Sequence, residues 1–132
     1  VRLDSDGNLL WEQCYGGSDF ERLYAVSETP DGFIFAGDAA SSDGDVSVNK
    51  GRGDMWIVNT DENGAIIWES SFGGSSSDAA FDITPAYDGG FVAAGLTGSI
   101  DGDVSNPKGE NDFWLVKTDE QGSLVMEKSF GG

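Results

Sequence analysis

The residues with the most obvious chemical potential are acidic and come in two matching loops, Asp43-Gly44-Asp45 and Asp101-Gly102-Asp103. Two carboxylates on either side of a glycine can bend around a hard cation, with backbone carbonyls completing an oxygen shell. Asp43, Asp45, Asp101 and Asp103 are therefore candidate Ca²⁺ ligands, and Ca²⁺ is the one cofactor the sequence suggests. The third acid and the terminal glutamate of an EF-hand loop are missing. Asp-Gly-Asp equally makes a plain turn in which the carboxylates accept nearby backbone N–H groups. The sequence leaves both readings open.

Other chemistries lack their parts. The chain has no histidine, which removes Ser–His–Asp and Cys–His nucleophile systems. Cys14 is the single cysteine, so no intrachain disulfide can form, and the matching positions elsewhere are Ser71 and Ser129. No glycine-rich phosphate loop runs into a helix. Paired carboxylates can act as acid and base on a sugar. Here, however, the acids sit at equivalent places in every copy of a repeat, whereas an active site would single out one acid in one copy. A non-enzymatic role is the expectation. Trp11, Trp56, Trp68 and Trp114 recur in the same way, which suits packing. The alternative is a sugar-stacking platform, and substantial exposure of Trp68 would favour it.

The charge balance narrows the partners. Acids outnumber bases by 24 to 7, for a net charge of -17. Nucleic-acid backbones are held by clustered Lys and Arg, so no nucleic-acid partner is expected, and anionic membranes would repel the chain. No stretch is long and apolar enough for a transmembrane helix, so no membrane insertion is expected, and no signal peptide is recognisable.

The elements that carry these residues are set by an internal repeat. Tyr15-Gly16-Gly17 returns as Phe72-Gly73-Gly74 and again as Phe130-Gly131-Gly132. Asp43-Gly44-Asp45-Val46-Ser47 returns as Asp101 to Ser105, and Asp54-Met55-Trp56-Ile57-Val58 as Asp112 to Val116. The spacing is 57 or 58 residues, the slip coming from the extra glycine in Asp88-Gly89-Gly90-Phe91 relative to Asp31-Gly32-Phe33. The chain reads as one domain, 1–132, with repeats 1–58 and 59–116 and a partial third repeat 117–132.

Within a copy, four strand-like runs are separated by turn signals. They are Met55–Thr60, Ala65–Phe72, Ala79–Thr84 and Phe91–Thr97, with Asn63-Gly64 suited to positive φ in a tight hairpin. No run is apolar at helical spacing. Four antiparallel strands per repeat, joined by short connections, describe a β-propeller blade. The expected fold is therefore all-β, with two full blades and an extra hairpin at 117–132. Propellers close with about four to eight blades. The expectation is a fragment of a longer array that self-associates through open blade faces or edges.

These motifs resemble a family of bacterial surface propeller repeats. The family pattern runs aspartate-aromatic-Trp-hydrophobic-Val-Lys-hydrophobic-Asp, a Gly turn, a Trp strand, Phe/Tyr-Gly-Gly, an Asp-Gly-Gly-aromatic strand and Gly-Asp-Val-Ser. Asp112 to Asp119, Phe72 to Gly74, Asp88 to Gly95 and Gly102 to Ser105 match it. Asn59 in place of Lys, Met126 in place of Trp, and Asp38-Ala39 where Leu96-Thr97 stands later are departures. The resemblance implies a bacterial extracellular or cell-surface scaffold or binding module with a protein or glycan ligand. A lectin-like propeller, or an accessory domain of a carbohydrate-active enzyme, is the alternative. A short likeness of Asp6 to Leu10 to bulb-lectin motifs lacks the flanking Gln and Tyr and reads as a hairpin turn.

Overall fold

Three aspartate-led turns set the local structure. In a computed structural model describing residues 1–132, Asp61 Oδ1 accepts the N–H groups of Asn63 (2.8 Å) and Ala65 (2.9 Å). Asp119 does the same for Gln121 (2.9 Å) and Ser123 (2.8 Å), and Asp4 for Asp6 (2.9 Å) and Asn8 (2.8 Å). The glycine ending each turn is left-handed, with φ of 85° at Gly7, 82° at Gly64 and 81° at Gly122. Asn63, expected to share that conformation, does not, because no residue other than glycine has positive φ.

Between the turns the alternating apolar runs form ten strands and no helix. A short hairpin joins β1 (Arg2–Leu3) to β2 (Leu9–Trp11). The first full sheet contains β3 (Glu21–Thr29), β4 (Gly32–Ala39), β5 (Asp54–Asp61) and β6 (Ile66–Phe72) in chain order. The second contains β7 (Asp78–Pro85), β8 (Phe91–Thr97), β9 (Asp112–Thr118) and β10 (Leu124–Phe130), again in chain order. Every pairing between these strands is antiparallel, as expected, and the isolated bridge between Gly53 and Ser77 is parallel.

The sheets are out of phase with repeats 1–58 and 59–116. Each takes the last two runs of one copy and the first two of the next. The physical reason lies in the connections. The long polar segment 98–111 merely joins neighbours β8 and β9 within a sheet. The short segment 73–77 makes the crossing between sheets, where Asp78 N–H donates to the Gly53 carbonyl (2.8 Å) and Arg52 N–H to the Ser76 carbonyl (3.1 Å). Residues 117–132, read from sequence as a surplus hairpin, therefore complete the second sheet. The hairpin without inner strands is β1–β2, at the other end.

Pleating gives each sheet two faces. The front face of the first sheet (Ile34, Ala36, Met55, Ile57) packs, with Phe72, on Ala80, Ile83, Phe91, Ala93, Trp114 and Val116 of the second. In the repeat, Phe91 aligns with Phe33 and Trp114 with Trp56, and these lie on the opposite, back face of the first sheet. The stacking is therefore front to back. Fully burying one such aliphatic or aromatic side chain contributes about 1.5–3 kcal/mol. The β1–β2 hairpin covers the outer part of the first sheet's back face, where Trp11 meets Phe33 edge-on at 6.1 Å and Tyr15 meets Phe35 at 5.9 Å.

Candidate functional site

The four sequence-predicted aspartates lie in two separate loops, each facing a Gly-Gly pair. Asp45 Oδ2 accepts Gly16 N–H (3.0 Å), and Asp43 Oδ1 accepts Ser18 N–H (2.7 Å). The second loop repeats this: Asp103 Oδ2 accepts Gly73 N–H (3.0 Å) and Asp101 Oδ1 accepts Ser75 N–H (2.7 Å). Lys50 Nζ also reaches Asp103 Oδ2. The hydrogen bond from Ser18 holds the Asp43 carboxyl below its ordinary range. No cluster of three or more acids or other ligating residues with metal-holding geometry is present. Each carboxylate has a backbone partner, and the valine that follows is buried: Val46 beside Trp56 and Val104 in the inter-sheet core.

The tryptophans divide into two kinds. Trp56 and Trp114 are fully buried, and each donates its indole N–H across the strand pair to a glutamate, Glu69 (2.8 Å) and Glu127 (2.7 Å). The same glutamates accept the N–H of Ser47 (3.3 Å) and Ser105 (3.1 Å). Burial pushes the Glu127 carboxyl up, but the bonds from Ser105 and Trp114 outweigh it, and its pKa lies below the ordinary value. Sequence reading missed both glutamates, although each follows its tryptophan by 13 residues. Trp11 and Trp68 are half-buried, donating to the carbonyls of Glu62 (2.9 Å) and Glu120 (2.9 Å) in the next hairpin turn.

Asp54 is the most perturbed carboxyl. It is fully buried, its Oδ2 accepts Lys50 N–H (2.8 Å), and its Oδ1 has no partner. Desolvation raises its pKa to about 6, against the pull of the Lys50 N–H and with a further push from Asp78. Asp78, by contrast, accepts from Thr97, Ser99 (2.7 Å) and Gly74 N–H (3.0 Å). A raised carboxyl in a cleft would suit a general acid. Asp54 has no surface through which a substrate could reach it.

A cleft opens where the repeat is broken. In the second sheet Lys117 pairs with Asp88. The matching residues of the first sheet are Asn59 and Asp31, and Asp31 has no cationic partner. Both line a cleft of about 690 Å³ between the turn ends of the two sheets. Trp68 and Phe91, with ring centroids 5.8 Å apart, form its apolar wall, and Glu120 and Gln121 its rim. Asn59 Oδ1 has no hydrogen-bond partner. The cleft thus offers a half-exposed indole and an unpaired carboxylate together, with the Asn59 amide oxygen buried behind its lining. The sequence signal was Asn59 itself, visible as a departure from lysine.

No protein-family profile matches the chain, and no curated protein is detectably similar to it.

Proposed function

We propose that the chain is a non-catalytic scaffold or binding module, a segment of a β-propeller of the bacterial surface type that its motifs resemble, exported to the cell surface. The front-to-back packing of two equivalent four-stranded sheets carries this reading, because that is how successive propeller blades bury their faces. The acids support it as well. The repeated aspartates bind backbone, and the one strongly perturbed carboxyl, Asp54, is enclosed. Hydrolysis assays with glycoside, ester and peptide substrates test the non-catalytic part. Turnover that disappears in Asp54→Asn or Asp78→Asn would sink it.

A second reading, a glycan-binding propeller, is favoured by the cleft. A sugar stacks a C–H face on an indole and hydrogen-bonds through its hydroxyls, and the half-buried Trp68 and the carboxylate of Asp31 offer those two kinds of contact. A glycan array compares wild type with Asn59→Lys, which restores the residue of the other repeat. Binding lost in that variant supports this reading, and an array without hits leaves plain scaffolding.

A further inference from the structure

The strands that end at the cleft begin, at their other ends, beside a smaller pocket of about 240 Å³. It opens between residues 20–24, at the start of β3, and residues 77–81, at the start of β7, so both sheets that build it lie within the chain. Arg22 and Arg52, two of only three arginines in a chain of net charge -17, both line it. Phe20, Tyr24 and Phe81 supply aromatic walls, the last two meeting edge-on at 5.4 Å. The two copies of the repeat part here: Phe20, Arg22, Asp38 and Arg52 align with Ser77, Ala79, Leu96 and Glu110. A residue that packs the repeat recurs in each copy, as Trp56 and Trp114 do, whereas a ligand site is grafted onto one copy and breaks the repeat.

Arg22 is held in place before any ligand arrives. Its Nη2 donates to Asp38 (2.9 Å), and its guanidinium lies 5.1 Å from the Phe20 ring centroid and 6.0 Å from that of Tyr24. A fork fixed in this way loses little freedom on binding. The side chain is still 58% exposed, so its other N–H groups stay available. Arg52 is anchored by its own N–H, which donates to the Ser76 carbonyl (3.1 Å), while its guanidinium makes no ion pair. The acids that face the pocket are Asp38 and Asp78. Asp38 is matched by Arg22, and the buried Asp78 is turned onto Thr97, Ser99 and the Gly74 N–H. Arg52 is therefore the one cation of the pocket without a carboxylate partner.

We propose that this pocket binds a small aromatic monocarboxylate, its carboxylate held by Arg52 and Arg22 and its ring laid against Phe20, Tyr24 and Phe81. The planar arginine fork matches a carboxylate with two parallel N–H···O bonds. The ring walls accept a flat apolar body stacked or edge-on. One negative charge pairs with Arg52, whereas the second charge of a phosphate would add repulsion from Asp38 and Asp78. The volume lies below the usual range for drug-sized ligands, which sets a compact body. The proposal is independent of the glycan reading, which concerns the cleft at the other ends of these strands.

Titration of the full, isotope-labelled chain with sodium benzoate, followed by NMR, tests this. Saturable shifts should appear at Phe20, Arg22, Tyr24, Arg52 and Phe81 and not around Trp68, with a Kd of about 1 mM for so small a probe. Benzamide, the same shape without the charge, should bind at least about tenfold more weakly, and so should benzoate to Arg52→Gln. Lys128→Gln removes one positive charge from β10, outside the pocket, and should leave the benzoate affinity as it is. Circular dichroism verifies the fold of both variants. Shifts that never saturate, shifts spread over the lysines of the chain, equal affinity for benzamide, or an Arg52→Gln variant that binds no worse than Lys128→Gln would each overturn the proposal.

Discussion

Asp103 and Gly73 hold each other twice: the Asp103 N–H donates to the Gly73 carbonyl (2.9 Å), and the Gly73 N–H donates to the Asp103 carboxylate (3.0 Å). Asp45 and Gly16 form the same closed pair, both bonds at 3.0 Å. The loop after the second strand of a sheet thereby grips the connector that enters that sheet. Asp103→Ala removes the carboxylate from this grip and from Lys50. The expected loss is about 1–3 kcal/mol, the usual range when a charged acceptor is taken from a buried donor, measured by urea unfolding.

The glycine at the centre of the grip is tied to it more tightly than the turn glycines are to theirs. Gly102 has φ of 69°, and a Cβ built there meets the Gly73 carbonyl oxygen at 2.3 Å. Gly7 has φ of 85° with nothing within 4 Å. Both alanine variants bear the left-handed penalty of about 1–2 kcal/mol. Only Gly102→Ala adds a backbone collision, so its melting temperature should fall well below that of Gly7→Ala. Equal falls would contradict the clamp geometry.

Calcium separates a clamp from a cation site. With Asp43, Asp45, Asp101 and Asp103 turned onto Ser18, Gly16, Ser75 and Gly73 amides, the expected outcome is no rise in melting temperature with added CaCl₂ and no heat by calorimetry. A saturable stabilisation lost in Asp101→Asn would establish binding.

Asp54 makes stability depend on pH in an unusual direction. Its carboxyl ionises near the ordinary 3.8 when unfolded and at about 6 when folded. Below about 4 both states are protonated and its contribution is full. Between about 4 and 6 the unfolded chain releases its proton first, so stability falls with rising pH, by about 2–3 kcal/mol in all. Asp4, Asp43 and Asp88, held low by hydrogen bonds, act in the opposite sense. Comparison with Asp54→Asn isolates the effect. The variant should be the more stable at pH 7, with the gap closing towards pH 4 in paired thermal melts.

The same pair of side chains should matter at one end and not at the other. Trp11→Met removes the bond to the Glu62 carbonyl and the ring contact with Phe33. Hydrogen exchange of the β1–β2 amides should quicken by about tenfold. Met126→Trp restores the repeat's residue on an exposed surface and should change stability by less than about 0.5 kcal/mol.

Much of this fold was legible because the strands are short, alternating and bounded by aspartate-glycine turns; Phe91–Thr97 appears with the expected bounds. The phase of the sheets was not legible. A long polar loop reads as a boundary, yet here the crossing between sheets is made by the five residues 73–77, fixed by hydrogen bonds that no pattern displays. The acidic loops stood out by type and spacing, but their bonding partners lie 25–30 residues away. Glu69 and Glu127 were hidden for a similar reason, since an exposed-looking glutamate on a strand shows its role only once its neighbour's indole is buried beneath it. The cleft was half legible: Asn59 broke the repeat in plain view, but its nearness to Trp68 is a product of stacking.

Because every sheet turns its front to the next one's back, the stack is polar, with chemically different ends. One end shows Phe113, Leu96 and Leu115; the other shows Val26, Leu23 and a small hairpin. A molecule shaped to fit one end has no purchase on the other, so anything that caps or extends this chain must distinguish head from tail.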